Sequence, residues 1–293
     1  MRILITGAAG MLGVAIRAEL AGSSHTVTAT GSTGQDGLLP MDIRDWEQVR
    51  NCIRGHQPEL VLHLAAETDV DRCEQEPDHA YATNALGTEN IALACREQGA
   101  VMAYISTANV FDGEKSEPYT EYDRTGSINV YGRSKLEGER AVERALDRYF
   151  ILRAGWMVGG WEIDKKFVYK IVQRCRTERQ LKVVDDKFGS PTFTLDFARN
   201  LMPLMQTRRY GIYHLANQGV GSRLEIAQEV VRLLDKEREV EICPISSAEF
   251  PLPAPRPRSE MLRNLKLELM GANHMPHWKA SLRRYIEENK DRP

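Results

Sequence analysis

The first two thirds of the chain alternate short β-branched or leucine-rich runs with stretches of helical periodicity. Residues 2–6, 25–30, 59–64, 101–106 and 149–153 read as strands, with helices at 11–21, 45–54, 79–98 and 131–146 between them. Strands separated by helices imply right-handed crossovers and a parallel sheet covered on both faces. The expected fold class is therefore α/β, a Rossmann-type doubly wound parallel sheet. Beyond about residue 155 the pattern breaks up: 210–215 reads as a strand, and 223–235 and 279–288 as helices. The run Phe250-Pro251-Leu252-Pro253-Ala254-Pro255-Arg256-Pro257 fits neither a helix interior nor a central strand. It is expected to be an extended loop able to fold over a ligand. The expected organisation is a sheet domain over 1–155, to which later segments return, and a smaller lobe over 156–293.

In open parallel sheets ligands sit outside the carboxyl ends of the strands. The first segment to fall there is Gly7-Ala8-Ala9-Gly10-Met11-Leu12-Gly13, directly after the apolar Ile3-Leu4-Ile5. Glycines at a strand-to-helix junction let the backbone turn sharply. They also let a pyrophosphate approach the helix N-terminus, whose free N–H groups favour an anion. The spacing G-x-x-G-x-x-G departs from the common G-x-G-x-x-G dinucleotide fingerprint, and a tight turn without a ligand is the alternative. Ala65-Ala66, after Leu64 at the end of the strand 59–64, and Ser106-Thr107 fall at the ends of later strands and should converge on the same edge, with Leu64, Ala65 and Ala66 as cofactor-binding candidates.

The end of the second strand bears on the choice of cofactor. An acidic residue there would hydrogen-bond the adenosine ribose of NAD. Here Thr28-Ala29-Thr30-Gly31-Ser32-Thr33 carries no carboxylate, and Ser32 or Thr33 could donate to a 2′-phosphate. NADPH is the expected cofactor, with NADH as the alternative. Asp42-Ile43 comes next on this edge and could flank the adenine; Asp42 could instead cap the following helix.

The chemistry itself is carried by Tyr131-Gly132-Arg133-Ser134-Lys135. Tyr131 and Lys135 are four residues apart at the start of an expected helix, so both project from one face. A free phenol has a pKa near 10 and exchanges protons sluggishly near neutrality; a nearby ammonium is expected to lower it. Lys135 could also donate to the nicotinamide ribose, and Thr107 could polarise a substrate carbonyl. The chain thus reads as an oxidoreductase with Thr107, Tyr131 and Lys135 as its catalytic set. A surface tyrosine and lysine on an amphipathic helix would be the reading without the glycine turn.

The bulk composition adds exclusions. A formal net charge of −2, with 27 % charged residues, gives no reason to expect nucleic acid or a membrane as partner. The chain enters a strand pattern at once and has no apolar run of spanning length, so a cytoplasmic protein without a signal peptide is expected. Five scattered cysteines (Cys52, Cys73, Cys95, Cys175 and Cys243), without a CxxC pair, point to reduced thiols and no metal site.

These residues place the chain in resemblance with the extended short-chain dehydrogenase/reductases. It more narrowly resembles the dTDP-4-dehydrorhamnose reductase family, over almost the whole length. The segments that carry the likeness are Ile105-Ser106-Thr107-Ala108-Asn109-Val110-Phe111-Asp112-Gly113, Asn129-Val130-Tyr131 and the run to Glu139, Gly155-Trp156, Phe188-Gly189-Ser190-Pro191-Thr192, and Arg256-Pro257. The resemblance implies NAD(P)H-dependent reduction of the 4-keto group of a nucleotide-activated 6-deoxy sugar, most simply dTDP-4-dehydro-L-rhamnose to dTDP-L-rhamnose. It maps the catalytic roles onto Thr107, Tyr131 and Lys135, and places Thr68 and Val70 on the loop facing the sugar.

One departure stands out. The family reads Ser-Thr-Asp-Tyr where this chain has Ser106-Thr107-Ala108-Asn109, so a carboxylate and an aromatic wall beside the sugar are replaced. That leaves hydride chemistry intact and opens the identity of the sugar. Trp156 could pack on the sugar ring or lie in the core. Arg256 could grip the substrate diphosphate through its guanidinium, with Lys166 and Lys187 as further candidates. Asn84 is expected to hold a structural hydrogen bond, and His63 to belong to the strand core. The competing readings are a reductase or epimerase of another sugar nucleotide, and a non-catalytic NADP-binding subunit like the regulatory subunit of methionine adenosyltransferase. A homodimer is admitted by either.

Overall fold

The strand alternation read from the sequence is what builds the central sheet. The computed structural model describes residues 1–164 and 166–292, so Lys165 and Pro293 of the expected lobe lie outside the described residues. Six strands of the sheet come first in the chain: β1 (Arg2–Thr6), β2 (Thr26–Gly31), β3 (Leu39–Pro40), β4 (Leu60–His63), β5 (Val101–Thr107) and β6 (Tyr149–Ala154). Their order is β3-β2-β1-β4-β5-β6, completed by Gly211–His214 on the outer side of β6, and every pairing is parallel. The winding therefore reverses between β1 and β4, and the turns after those two strands flank the crevice.

Six helices accompany these strands: α1 (Met11–Leu20), α2 (Trp46–His56), α3 (Val70–Gln75), α4 (Pro77–Tyr81), α5 (Gly87–Gln98) and α6 (Val130–Ala145). Ile3, Ile5, Leu60, Leu62, Phe150 and Leu152 point to one face. There they meet Leu12 and Ile16 of α1 and Phe197 and Leu201 of the helix Thr194–Gln206. Leu4, Val61, Met102 and Ile151 point the other way, onto Val49 and Ile53 of α2, Ile91 of α5 and Val142 of α6. Each such side chain contributes ~1.5–3 kcal/mol when fully buried. A second core, built from Trp156, Val168, Ile171, Ile226, Val230 and Trp278 among others, belongs to the later elements.

Several expectations are refined. The helix expected at 79–98 starts at Pro77, which suits a first helical turn, and carries a π turn at Ala82–Leu86 between α4 and α5. Asp45, not Asp42, caps α2: its Oδ1 accepts the Gln48 N–H at 3.1 Å. The sequence periodicity does not predict the helices Val70–Gln75, Phe167–Thr177, Thr194–Gln206 and Leu265–Leu269, nor the parallel pair Gln180–Val184 with Glu241–Ile245. Pro203 inside Thr194–Gln206 masks its helical pattern. Residues 251–258 hold no helix or strand. This loop is tied at both sides, by Ala254 N–H on Asp71 Oδ1 (3.1 Å) and by Lys187 Nζ on the Arg256 carbonyl (2.9 Å).

Beneath the site, Arg153 of β6 and Glu139 of α6 form a buried bidentate pair, Nε to Oε1 at 2.9 Å and Nη2 to Oε2 at 2.6 Å. Removing one partner strands the other charge. Arg153→Met is expected to lower unfolding free energy by ~3–5 kcal/mol. Arg153→Met combined with Glu139→Gln should recover part of that. Urea unfolding of both variants checks the prediction, and equal losses would show that the stranded charge is not the cause.

Candidate active site

The glycine turn is shaped for an approaching backbone. Gly7 has φ +67°, and a Cβ there would lie 2.6 Å from the Ala65 nitrogen. Only glycine allows both the left-handed conformation and this contact between the turns after β1 and β4. Gly10 is the N-cap of α1 and provides no side-chain cap, so the first N–H groups of the helix remain for an anion. Leu12 and Gly13 are buried in the helix–sheet contact, while Met11 is half-buried beside Gly160. Leu64 and Ala65 donate their N–H groups to Thr6 Oγ1 at 3.2 Å each, and Ala66 follows, half-buried.

At the adenosine end, Ser32 and Thr33 are exposed just past β2. Ile43 is buried with its side chain against Gly87, which leaves only its backbone for a ligand. Asp42 is gripped by Arg44, Nη2 to Oδ2 at 2.6 Å, and this hydrogen bond holds its carboxyl below the usual range. Arg44 thereby balances the Asp42 carboxylate, an arrangement that suits a phosphorylated ribose better than a bare Asp42 would. The glycine cradle, the open helix end and the hydroxyl-bearing strand end fit a dinucleotide.

Helix α6 delivers the proton donor. Asn129 caps it, its Oδ1 accepting the Gly132 N–H at 2.8 Å. Gly132 packs on the Asn109 carbonyl more closely than a Cβ would permit, so the first turn of α6 lies directly on the end of β5. Thr107, 7 % exposed at that strand end, lies beside the Tyr131 phenol. Burial pushes the phenol above its ordinary value, opposed by the neighbouring Thr107 hydroxyl and reinforced by the Glu260 and Glu67 charges. Lys135 is buried, with Nζ 4.1 Å from the Tyr104 ring centroid. Burial pushes its ammonium down to about 7, against the opposing pull of Glu139.

This corrects one expectation. Among the described residues no hydrogen bond joins Lys135 to Tyr131; the cation sits on Tyr104 instead. The phenol is held up rather than brought down, because burial outweighs the neighbouring Thr107 hydroxyl. His63 lies in the core and is hydrogen-bonded at both nitrogens, to Thr6 (2.7 Å) and Thr88 (3.1 Å), with burial pushing it down to about 3. Asn84 donates to Ser134 Oγ at 3.0 Å and accepts from the Glu67 N–H at 2.9 Å, a structural role within the π turn.

On the far side of Tyr131, Thr68 is exposed and Val70 begins α3 at the mouth. Ala108 lies in an apolar cluster with Val110, Phe111 and Leu262. Asn109 donates to Glu260 Oε2 at 2.6 Å and accepts from Asn129. Trp156, 9 % exposed, donates its indole N–H to Glu260 Oε1 at 2.9 Å, and Arg223 covers its ring at 3.6 Å. It therefore offers a rim rather than an open face. Arg256 pairs with Asp71 at 3.0 Å. Lys166 neighbours Arg223 and Asp164, and Lys187 ties down the proline-rich loop. Arg223 and Glu260 were not singled out from sequence; the available signals were the helix start after Gly221-Ser222 and the position of Glu260 four residues past Arg256.

A dinucleotide cradle at the switch point, with a threonine at a strand end and a Tyr-x-x-x-Lys turn beside it, defines an extended short-chain dehydrogenase/reductase. Within that class the chain belongs to the dTDP-4-dehydrorhamnose reductase family: the family described as RmlD substrate binding domain matches residues 1–290. A dTDP-4-dehydrorhamnose reductase of Sinorhizobium fredii is 35% identical, over 98% of this chain and 97% of the relative. The structure of a Clostridium acetobutylicum dTDP-4-dehydrorhamnose reductase superposes with a TM-score of 0.92 at 38% identity, covering 98% of this chain and 99% of that one. The Bacillus anthracis dTDP-4-dehydrorhamnose reductase, solved in complex with NADP, also gives 0.92, at 34% identity and with the same coverage.

Because burial holds the Lys135 ammonium near 7, part of it is neutral just above that pH. An anionic dinucleotide favours the charged form, so its binding should take up protons at pH 7–8 and weaken as pH rises. Calorimetric titration of NADPH in buffers of different ionisation enthalpy should show this uptake. Lys135→Met should abolish it, and unchanged uptake in that variant would rule out Lys135 as the group.

Proposed function

We propose that this protein is an NADPH-dependent reductase of the 4-keto group of a nucleotide-activated 6-deoxy sugar, dTDP-4-dehydro-L-rhamnose being the substrate and dTDP-L-rhamnose the product. The observation that carries this reading is the close packing of the first turn of α6 on the end of β5, which puts the Tyr131 phenol beside Thr107. Bound NADPH supplies the hydride. Thr107 positions the substrate oxygen and polarises the carbonyl, and Tyr131 gives its phenolic proton to that oxygen as hydride reaches carbon. Lys135 orients the nicotinamide ribose and supplies positive charge next to the resulting phenolate. Thr68, Val70, Asn109 and the rim of Trp156 border the sugar, with Arg223 and Arg256 toward the diphosphate. In this reading residues 1–155 form the cofactor domain and 156–293 chiefly the substrate lobe. The enzyme works in the cytoplasm, as a homodimer. Among the described residues no helix is long and apolar enough to cross a membrane.

The test follows NADPH absorbance as the enzyme meets dTDP-4-dehydro-L-rhamnose generated in situ, with NADH in parallel. Oxidation with dTDP-L-rhamnose formed, faster with NADPH, is the expected result; NADPH binding without oxidation would overturn the substrate assignment. Tyr131→Phe should lower turnover by ~10²–10⁴-fold, the range for a lost general acid, while NADPH affinity stays within about twofold. Near-normal turnover would remove Tyr131 from its role.

A further inference from the structure

Two features that the hydride chemistry does not use meet at one carboxylate. Glu260 is 8 % exposed, and each of its oxygens accepts one neutral donor, the Asn109 amide and the Trp156 indole. Each oxygen keeps a further lone pair. Its negative charge is felt by the Tyr131 phenol and by the Arg223 guanidinium, so Glu260 lies near both.

A structural buried carboxylate is closed off by backbone N–H groups, as Glu121 is, or by a full ion pair. Glu139 shows that solution one strand away, in its bidentate bond to Arg153. Glu260 has no ion pair within 4.0 Å among the described residues, although Arg223 lies nearby over the Trp156 ring. Its position is nevertheless fixed. Asn109, which holds it, accepts from Asn129 at 3.0 Å, and Asn129 caps the helix that carries Tyr131. Glu260 is therefore registered against the proton donor through two side chains.

The departure at Ala108-Asn109 now has a physical counterpart. Ala108 faces an apolar cluster, so nothing at that position reaches a sugar. Asn109 carries instead a carboxylate brought in from the C-terminal part of the chain. We propose that Glu260, positioned by Asn109 and Trp156, determines sugar specificity by accepting a hydrogen bond from a ring hydroxyl of the bound sugar nucleotide. Sugars that bear an acidic group at that point are repelled, and those without a donor lose the bond. This rests on the reading of the site as a sugar-nucleotide reductase.

The experiment compares dTDP-L-rhamnose with dTDP alone by calorimetry, both on the NADP-bound protein. In Glu260→Gln, affinity for dTDP-L-rhamnose should fall by ~10–100-fold, the range for a hydrogen bond to a charged group. Affinity for dTDP and for NADP should stay within about twofold, a split that general misfolding would not produce. Asn109→Ala, which frees the carboxylate without removing it, should show a smaller loss of the same kind. An unchanged preference for dTDP-L-rhamnose over dTDP in Glu260→Gln, or an equal loss of all three ligands, would overturn the proposal. If the wild-type protein itself does not distinguish dTDP-L-rhamnose from dTDP, the rhamnose reading falls. The Glu260 comparison is then read with UDP-glucose against UDP, where the same split is expected and its absence overturns the assignment.

Discussion

The place of the proton donor depends on a line of buried hydrogen bonds that begins at the cofactor turn. The Thr6 hydroxyl collects the Leu64 and Ala65 N–H groups and faces His63 Nδ1; His63 Nε2 faces Thr88, and Thr88 donates to the Asn84 carbonyl. Since the Thr88 proton is committed to Asn84, Thr88 can only accept from His63, which sets the imidazole as a neutral Nε2–H donor. Asn84 then passes to Ser134, whose hydroxyl donates to the Tyr131 carbonyl at 2.8 Å. Each bond adds only ~1 kcal/mol net, but an orphaned member of such a chain costs ~1–3 kcal/mol. The strand ends that form the cradle and the helix that bears Tyr131 are therefore locked in one register.

The π turn at Ala82–Leu86 is what brings Asn84 into that line. A wider turn displaces backbone carbonyls from their usual helical partners, as at many functional sites. Here the Asn84 carbonyl receives the Thr88 and Tyr104 hydroxyls, at 2.7 and 3.4 Å. Tyr104 in turn lies under the Lys135 ammonium. One local departure from helical geometry thus supports both halves of the Tyr-x-x-x-Lys pair, which links backbone geometry to the placement of charge.

What the sequence makes legible follows from range. The Ile3-Leu4-Ile5 alternation, the glycine turn and the four-residue spacing of Tyr131 and Lys135 are all short-range patterns, and each maps directly onto backbone periodicity. The π turn is not legible, because Ala82-Thr83-Asn84-Ala85-Leu86 reads as ordinary helix and widens only through tertiary hydrogen bonds. Nor is the Asn109–Glu260 bond, which spans 151 positions. The seventh strand and the helix Thr194–Gln206 return to the sheet from the far half of the chain, a matter of topology that periodicity does not encode. The absent Tyr131–Lys135 bond belongs here too. Shared helical face gives proximity, and only packing decides that the cation settles on Tyr104.

That last outcome bears on the direction of the chemistry. A phenol lowered toward neutrality would be part phenolate, ready to accept a proton from an alcohol. Burial, with Glu260 and Glu67 adding negative charge, does the opposite and keeps Tyr131 protonated. Lys135, pushed down to about 7 by the same burial, contributes its full positive charge only as an anion enters beside it. The hydroxyl of Thr107 favours the phenolate in advance. A donor held protonated until negative charge develops on the carbonyl oxygen is suited to reduction.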